Sequence, residues 1–258
     1  MMIDHYSLAT LQSLSQANVA NIRHISDKTL SIREQALQTA AYQLGSQTAL
    51  AQTSAYIDQI LQKLEPTLNS AYNFNALLLD HHVLPPVITT GDNLLSIGDN
   101  ADVIHYGRKS YTIIQQAKFV TTAPTWHDYL WLAVDYPSLP DQVLLPKNEQ
   151  EQDLWSQTMT QAWNDGINQA KTIFKLKLNH LTQDYQGMLT YRRLLALHIV
   201  NPPFVKVNKQ GITGNAHQLI INNQKWVFNA LPQLHPNSSL WQPVIEDHVT
   251  NNHGNSDQ

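Results

Sequence analysis

The chain has 258 residues, a formal net charge of -4, a pI near 6.3 and no cysteine. That balance leaves no basic footprint for phosphate neutralisation and argues against nucleic-acid binding by the chain as a whole, while the lack of cysteine excludes disulfides, thiolate metal ligands and cysteine nucleophiles. Charged residues are only 14%, against about 25% in ordinary soluble proteins; amides and hydroxyls replace them, which suits a subunit packed against neighbours.

No apolar run approaches the ~18–20 residues of a membrane span. The opening Met1-Met2-Ile3-Asp4-His5-Tyr6 has neither a basic segment nor an apolar core, so no signal peptide is expected in the chain as written. Residues 1–28 read as a polar N-terminal arm. From Thr29 to Glu65 the pattern is helical: Leu30, Leu37, Leu44 and Ala51 recur every seven residues, with Ala40, Ala41, Thr48 and Ala55 beside them. Gly45, Ala49 and Ala51 are small enough to let another helix come close. Pro66 is expected to stop this run.

A short helix is expected over Leu68 to His81, after which Pro85-Pro86 force an extended path. Gly91 to Ala101 is turn-rich. Val103 to Tyr106, a Gly107-Arg108-Lys109 turn and Ser110 to Thr121 read as a hairpin, interrupted at Gln115-Gln116-Ala117. Pro124 opens an aromatic turn with Trp126, Tyr129 and Trp131. Asn148 and Glu151 have capping-box spacing, and the longest helix should run from there to about Tyr185, bearing Trp155, Trp163, Gly166, Ala170, Phe174 and Leu181 on one side. Gly187 is read as a break before a further helix, Met188 to Val200. The remainder is β in character, with Asn222-Asn223 as a tight hairpin connection and residues 246–258 as a disordered tail. The order of elements predicts an α+β class: a helix-rich single domain over 29–245, with antiparallel β-hairpins in the middle and near the C-terminus.

Asp80-His81-His82 invites a metal or acid-base reading. Consecutive helical residues lie 100° apart, however, and the usual His-x-x-x-His spacing is missing. The preferred alternative has His81 finishing a helix, where it interacts well with the dipole. Gly98 to Asp102 resembles a calcium loop only faintly, lacking the sixth-position glycine and the terminal glutamate. No nucleophile elbow, phosphate loop or dinucleotide fingerprint is present, so neither a cofactor nor a catalytic residue is assigned. The aromatic block beside Pro124 reads as a core wedge between the hairpin and the long helix, or as an interface anchor if one member, Trp131, is exposed.

Several motifs together resemble one family. Asp80-His81-His82-Val83-Leu84-Pro85-Pro86-Val87 is similar to an element of the DotC proteins of type IVB (Dot/Icm) secretion systems and of the related TraI lipoproteins of IncI-type conjugation systems. The likeness extends through Ile32 to Leu37, Tyr72 to Asn75, Phe119 to Trp126, Tyr129-Leu130-Trp131, Leu144 to Lys147, Trp163 to Ala170, Gly187-Met188, Tyr191 to Leu195, Pro202 to Val205, Gly211 to Gly214 and Ala230 to Pro232. The resemblance implies a non-enzymatic structural subunit of an outer-membrane core complex, periplasmic and lipid-anchored. It would work with DotD-like and DotH-like partners and help the DotH-like component reach the outer membrane. The candidate interface or structural residues are then Pro85, Pro86, Trp126, Tyr129, Trp131 and Trp163. The family's lipidated cysteine and signal peptide are not in this chain, and His127 stands where relatives carry Arg. A metal-dependent periplasmic hydrolase using Asp80, His81 and His82, and a peptidoglycan-binding module using Trp126 or Trp131, are the alternatives.

Overall fold

The computed structural model describes residues 7–12, 31–97, 104–215 and 217–241. It is α+β, rich in helix, with antiparallel hairpins in the middle and toward the C-terminus. Its contacts group into two compact units, each made of two chain segments: residues 1–72 with 125–181, and residues 73–124 with 182–258.

The first unit is helical. Helix α1 (Leu8–Gln12) lies inside the stretch expected to be a loose arm, yet Leu11 is fully buried and its carbonyl accepts from Trp155 Nε1 at 3.0 Å. Helix α2 (Ile32–Lys63) opens on a complete capping box: Glu34 N–H donates to Ser31 Oγ, and Ser31 N–H to Glu34 Oε2 at 2.7 Å. Leu37, Ala41, Leu44, Thr48 and Ala51 are its buried stripe, at the expected spacing of three and four. The helix ends at Lys63, just ahead of Pro66 as expected, and Pro66 itself sits in the first turn of a separate short helix, α3 (Glu65–Ala71), where a missing N–H costs nothing.

Helix α4 (Trp126–Leu130) replaces the expected aromatic turn, closed at its start by Thr125 and Asp128. Helix α5 (Glu149–Ala196) has residues to 181 in this unit and 182–196 in the other. Gly45 and Gly166 are where α2 and α5 touch. A methyl at Gly45 would meet Met159 Sδ at 2.7 Å; one at Gly166 would collide with the Ser46 carbonyl oxygen and sit 2.8 Å from Ala49 Cβ. Leu11, Leu37, Ala41, Leu44, Trp155 and Met159 form the core beside this contact, with Trp163 partly buried against it.

The second unit carries the strands. The expected Leu68–His81 helix is not formed as such: after α3 the chain makes two short 3-10 turns, Phe74–Leu77 and Asp80–His82. Strand β1 (Val83–Leu84) pairs with β4 (Lys118–Phe119), and β2 (Val87–Ile97) with β3 (Ile104–Gln115). Gly107-Arg108-Lys109 is therefore mid-strand rather than a turn, with Gly107 opposite Leu94 and Lys109 opposite Asp92. The predicted interruption at Gln115-Gln116-Ala117 is present: Val87 faces Gln115 while Ile88 faces Ile113, leaving Ile114 as a bulge, and β3 ends there.

Gly187 does not break a helix. It lies within α5, and a Cβ there would run into Val87 Cγ1 and within 3.1 Å of the Ile88 amide nitrogen. The glycine serves close helix–strand approach. Ile88, Tyr191, Leu194 and Val200 form the buried cluster beside it. Strands β5 (Phe204–Asn215) and β6 (Gln218–Ala230) make one long hairpin. Asn222-Asn223 is not its connection. Gly211, with φ of 71°, pairs with Asn223, and the next pair is Thr213 with Ile220, so β6 carries one extra residue beside Asn222, whose φ is 60°, and the step marks a bulge. The predicted calcium-like loop and C-terminal tail lie outside the described residues.

Candidate functional site

Two constellations stand out, one in each unit. In the first, Arg33 on the opening turn of α2 makes a bidentate pair with Glu151 near the start of α5. Nε donates to Oε1 at 2.8 Å and Nη2 to Oε2 at 3.0 Å. The rest of the fork donates to the carbonyls of Val143 (3.0 Å) and Leu145 (3.2 Å), which pins the proline-rich segment before α5. Glu151 also accepts from the Lys147 backbone N–H at 2.8 Å. Its own N–H donates to Asn148 Oδ1, so the predicted cap is half formed: Asn148 caps, while the Glu151 carboxylate turns to Arg33. Hydrogen bonding by Arg33, ahead of the opposing effect of burial, holds this carboxyl below the usual range. The same bond raises the already high guanidinium pKa. Sequence reading missed this pair; its members are 118 residues apart, and the only signal was that Arg33 and Lys147 lie in two of the shared segments.

In the second unit the Asp80–Val87 segment is a tight reversal. Leu79 N–H donates to the Val83 carbonyl at 2.9 Å, and the residues between include His81 at φ 60° and His82 at φ 55°. Histidine is among the side chains that enter the left-handed region more readily, yet each such residue stores about 1–3 kcal/mol. His81 thus does not finish a helix. Both imidazoles lie against Trp226 of β6, His81 edge-on at 5.3 Å and His82 stacked at 6.3 Å between centroids. Phe119 stacks on Phe228 at 4.1 Å. Between them is an open cleft of about 520 Å³ lined by His81, His82, Phe119, Thr121, Gln224 and Trp226. Asp80 faces a neighbouring hollow with Arg192, whose Nη1 donates to the Ala76 carbonyl at 2.6 Å. Among the described residues no three His, Cys, Asp or Glu side chains gather to hold a metal ion. The cleft offers aromatic faces and a few hydrogen-bonding groups, chemistry suited to holding a side chain.

The sequence-predicted residues are dispersed. Pro85 and Pro86 are buried between β1 and β2. Trp126 is buried, and its Nε1 donates to Asn69 Oδ1 of α3 at 2.7 Å; its ring stacks on His127 at 3.6 Å. Tyr129 is half-buried, edge-on to His180. Trp131 ends α4, is 39% exposed, and its carbonyl accepts from Lys177 Nζ at 3.0 Å. His127 lies between the two indoles, 5.6 Å from the Trp131 ring. Three of the six therefore share the α4 corner, Trp163 flanks the α2–α5 core, and the prolines belong to the other unit.

With this geometry in hand, the comparison with protein families gives a class. A family model described as "Type IV secretory system, conjugal DNA-protein transfer" matches residues 31–243. The chain belongs to that family, the TraI family of type IV secretion, which points to a component associated with the bacterial cell envelope. Among curated proteins none matches. No described helix is long and apolar enough to cross a membrane.

Proposed function

We propose that the chain is a non-enzymatic structural subunit of the outer-membrane core complex of a type IVB secretion or conjugation system. It would assist assembly or localisation of a DotH-like component together with a DotD-like lipoprotein, in the periplasm at the outer membrane. The observation that carries this reading is where the segments shared with the DotC and TraI proteins fall. Arg33 and Lys147 meet at the Glu151 clasp, Gly166 admits α2, and Gly187 admits Val87 of the Leu-Pro-Pro-Val element. These are joints that keep two packed bodies in shape. A subunit whose work is contact needs such joints more than a reactive centre.

The test is fractionation of the native envelope. Deleting this chain should move the DotH-like component out of the outer-membrane fraction, and affinity purification of the full-length protein should recover the DotD-like and DotH-like proteins together. Unchanged DotH-like fractionation with no recovery of either protein would overturn the proposal.

A further inference from the structure

The β5–β6 hairpin is unlike the rest of the chain. Between Phe204 and Ala230 there are three lysines, Lys206, Lys209 and Lys225, and no Asp or Glu, in a protein of net charge -4. Its strands pair only with each other among the described residues, so each has an outer edge whose backbone groups are unpaired by sheet. At and beyond the bulge that follows the Gly211–Asn223 pair it displays Ile212, Leu219 and Ile221 at 67%, 65% and 65% exposure. A lone two-stranded ribbon is marginal in water, and bare edges with branched aliphatics are templates for strand addition.

We infer that an outer edge of the β5–β6 hairpin is a strand-addition site for an extended, acidic, aliphatic segment of a partner protein. Charge selects this occupant. A second copy of the chain would set lysine-bearing edges against one another, and like charges placed opposite on strands are unfavourable. The same lysines attract a strand carrying Glu or Asp, so one feature both repels self-pairing and chooses the partner. Duplex DNA fits less well, because three lysines neutralise few phosphates and leave Ile212, Leu219 and Ile221 without an apolar counterpart. The inference deepens the assembly reading by naming one contact surface. Its test needs only the purified chain and peptides, so either can fail without the other.

The probe is a synthetic peptide alternating Glu with Thr and Val, matched to the 12 residues of β5, beside a Lys-for-Glu version. The Glu peptide should bind, protect backbone amides of residues 204–230 from hydrogen exchange, and weaken as salt rises. The triple reversal Lys206→Glu, Lys209→Glu, Lys225→Glu should cut its affinity at least about tenfold and favour the Lys peptide, a 1.4 kcal/mol change per decade. If that variant does not fold, Lys225→Glu alone should show a smaller loss in the same direction. Equal binding of both peptides to the unmodified chain, no binding of the Glu peptide, lysine-dependent binding of duplex DNA in its place, or dimerisation through residues 204–230 would each overturn the inference.

Discussion

Arg33 and Glu151 are joined by two parallel hydrogen bonds of 2.8 and 3.0 Å, with the carboxylate side chain only 10% exposed and the guanidinium 34%. The planar fork matches the carboxylate and has donors left for the Val143 and Leu145 carbonyls, a geometry that lysine cannot reproduce. Arg33→Ala should lower unfolding free energy by about 2–3 kcal/mol, because it leaves a shielded carboxylate short of its partner. Arg33→Lys should recover only part of this. Denaturant melts of the two variants check both expectations.

The same pair makes the fold sensitive to acid. Glu151 has a folded-state pKa below its ordinary value, chiefly through the Arg33 bond. Its contribution is complete above the unfolded pKa of about 4.3 and is lost as pH falls through the lower folded value. Stability should therefore drop more steeply below about pH 4.3 in the unmodified protein than in Glu151→Gln, which has no proton to take up. Parallel thermal scans across that range measure the difference.

Gly166 and Gly187 should be intolerant of a single methyl. Each would drive a Cβ into its neighbours, at Gly166 the Ser46 carbonyl and at Gly187 the Val87 side chain and the Ile88 backbone. A mid-helix Gly→Ala change ordinarily stabilises by about 0.5–1 kcal/mol; here overpacking of about 1–3 kcal/mol or more should reverse the sign. Gly166→Ala and Gly187→Ala melting below the parent protein is the expected result.

Tyr191 offers a change in the favourable direction. Its ring is fully buried, its hydroxyl has no hydrogen-bond partner among the described residues, and burial pushes its pKa up to about 12. An unpaired buried hydroxyl costs roughly 1–3 kcal/mol. Tyr191→Phe should leave the fold intact and raise stability by about 1 kcal/mol, read as a higher melting temperature.

At the reversal before the buried prolines, His82→Gly should be mild, since relief of a left-handed side chain offsets the lost contact with Trp226. His82→Val should be worse by at least about 1 kcal/mol, because a β-branched residue fits φ 55° poorly. Pro85→Ala and Pro86→Ala should each cost about 1 kcal/mol through a looser unfolded chain and lost packing. Chemical denaturation of the four variants ranks them.

Some of this was legible residue by residue. Helix α2 was, because Leu37, Ala41, Leu44 and Thr48 repeat with the helical period and Gly45 and Ala49 announce a close neighbour. The start of α5 was, because Asn148 is a strong cap. Glycines and asparagines misled wherever one residue type serves two purposes. Gly187 reads alike as a helix break or a contact point, Gly107 as a turn or a strand residue, and Asn222 as a hairpin corner or a bulge. Local chemistry permits both, and only the partner strand or helix chooses.

Composition and periodicity alone determined that this chain would be a helix-rich α+β protein with hairpins, and the register of its short motifs determined its family. Those properties are local or additive, so they survive without coordinates. The tertiary structure decided that Arg33 finds Glu151, that Gly187 admits Val87, and that His81 and His82 turn left-handed onto Trp226. Each depends on residues a hundred or more positions apart, brought together by packing that sequence spacing does not encode.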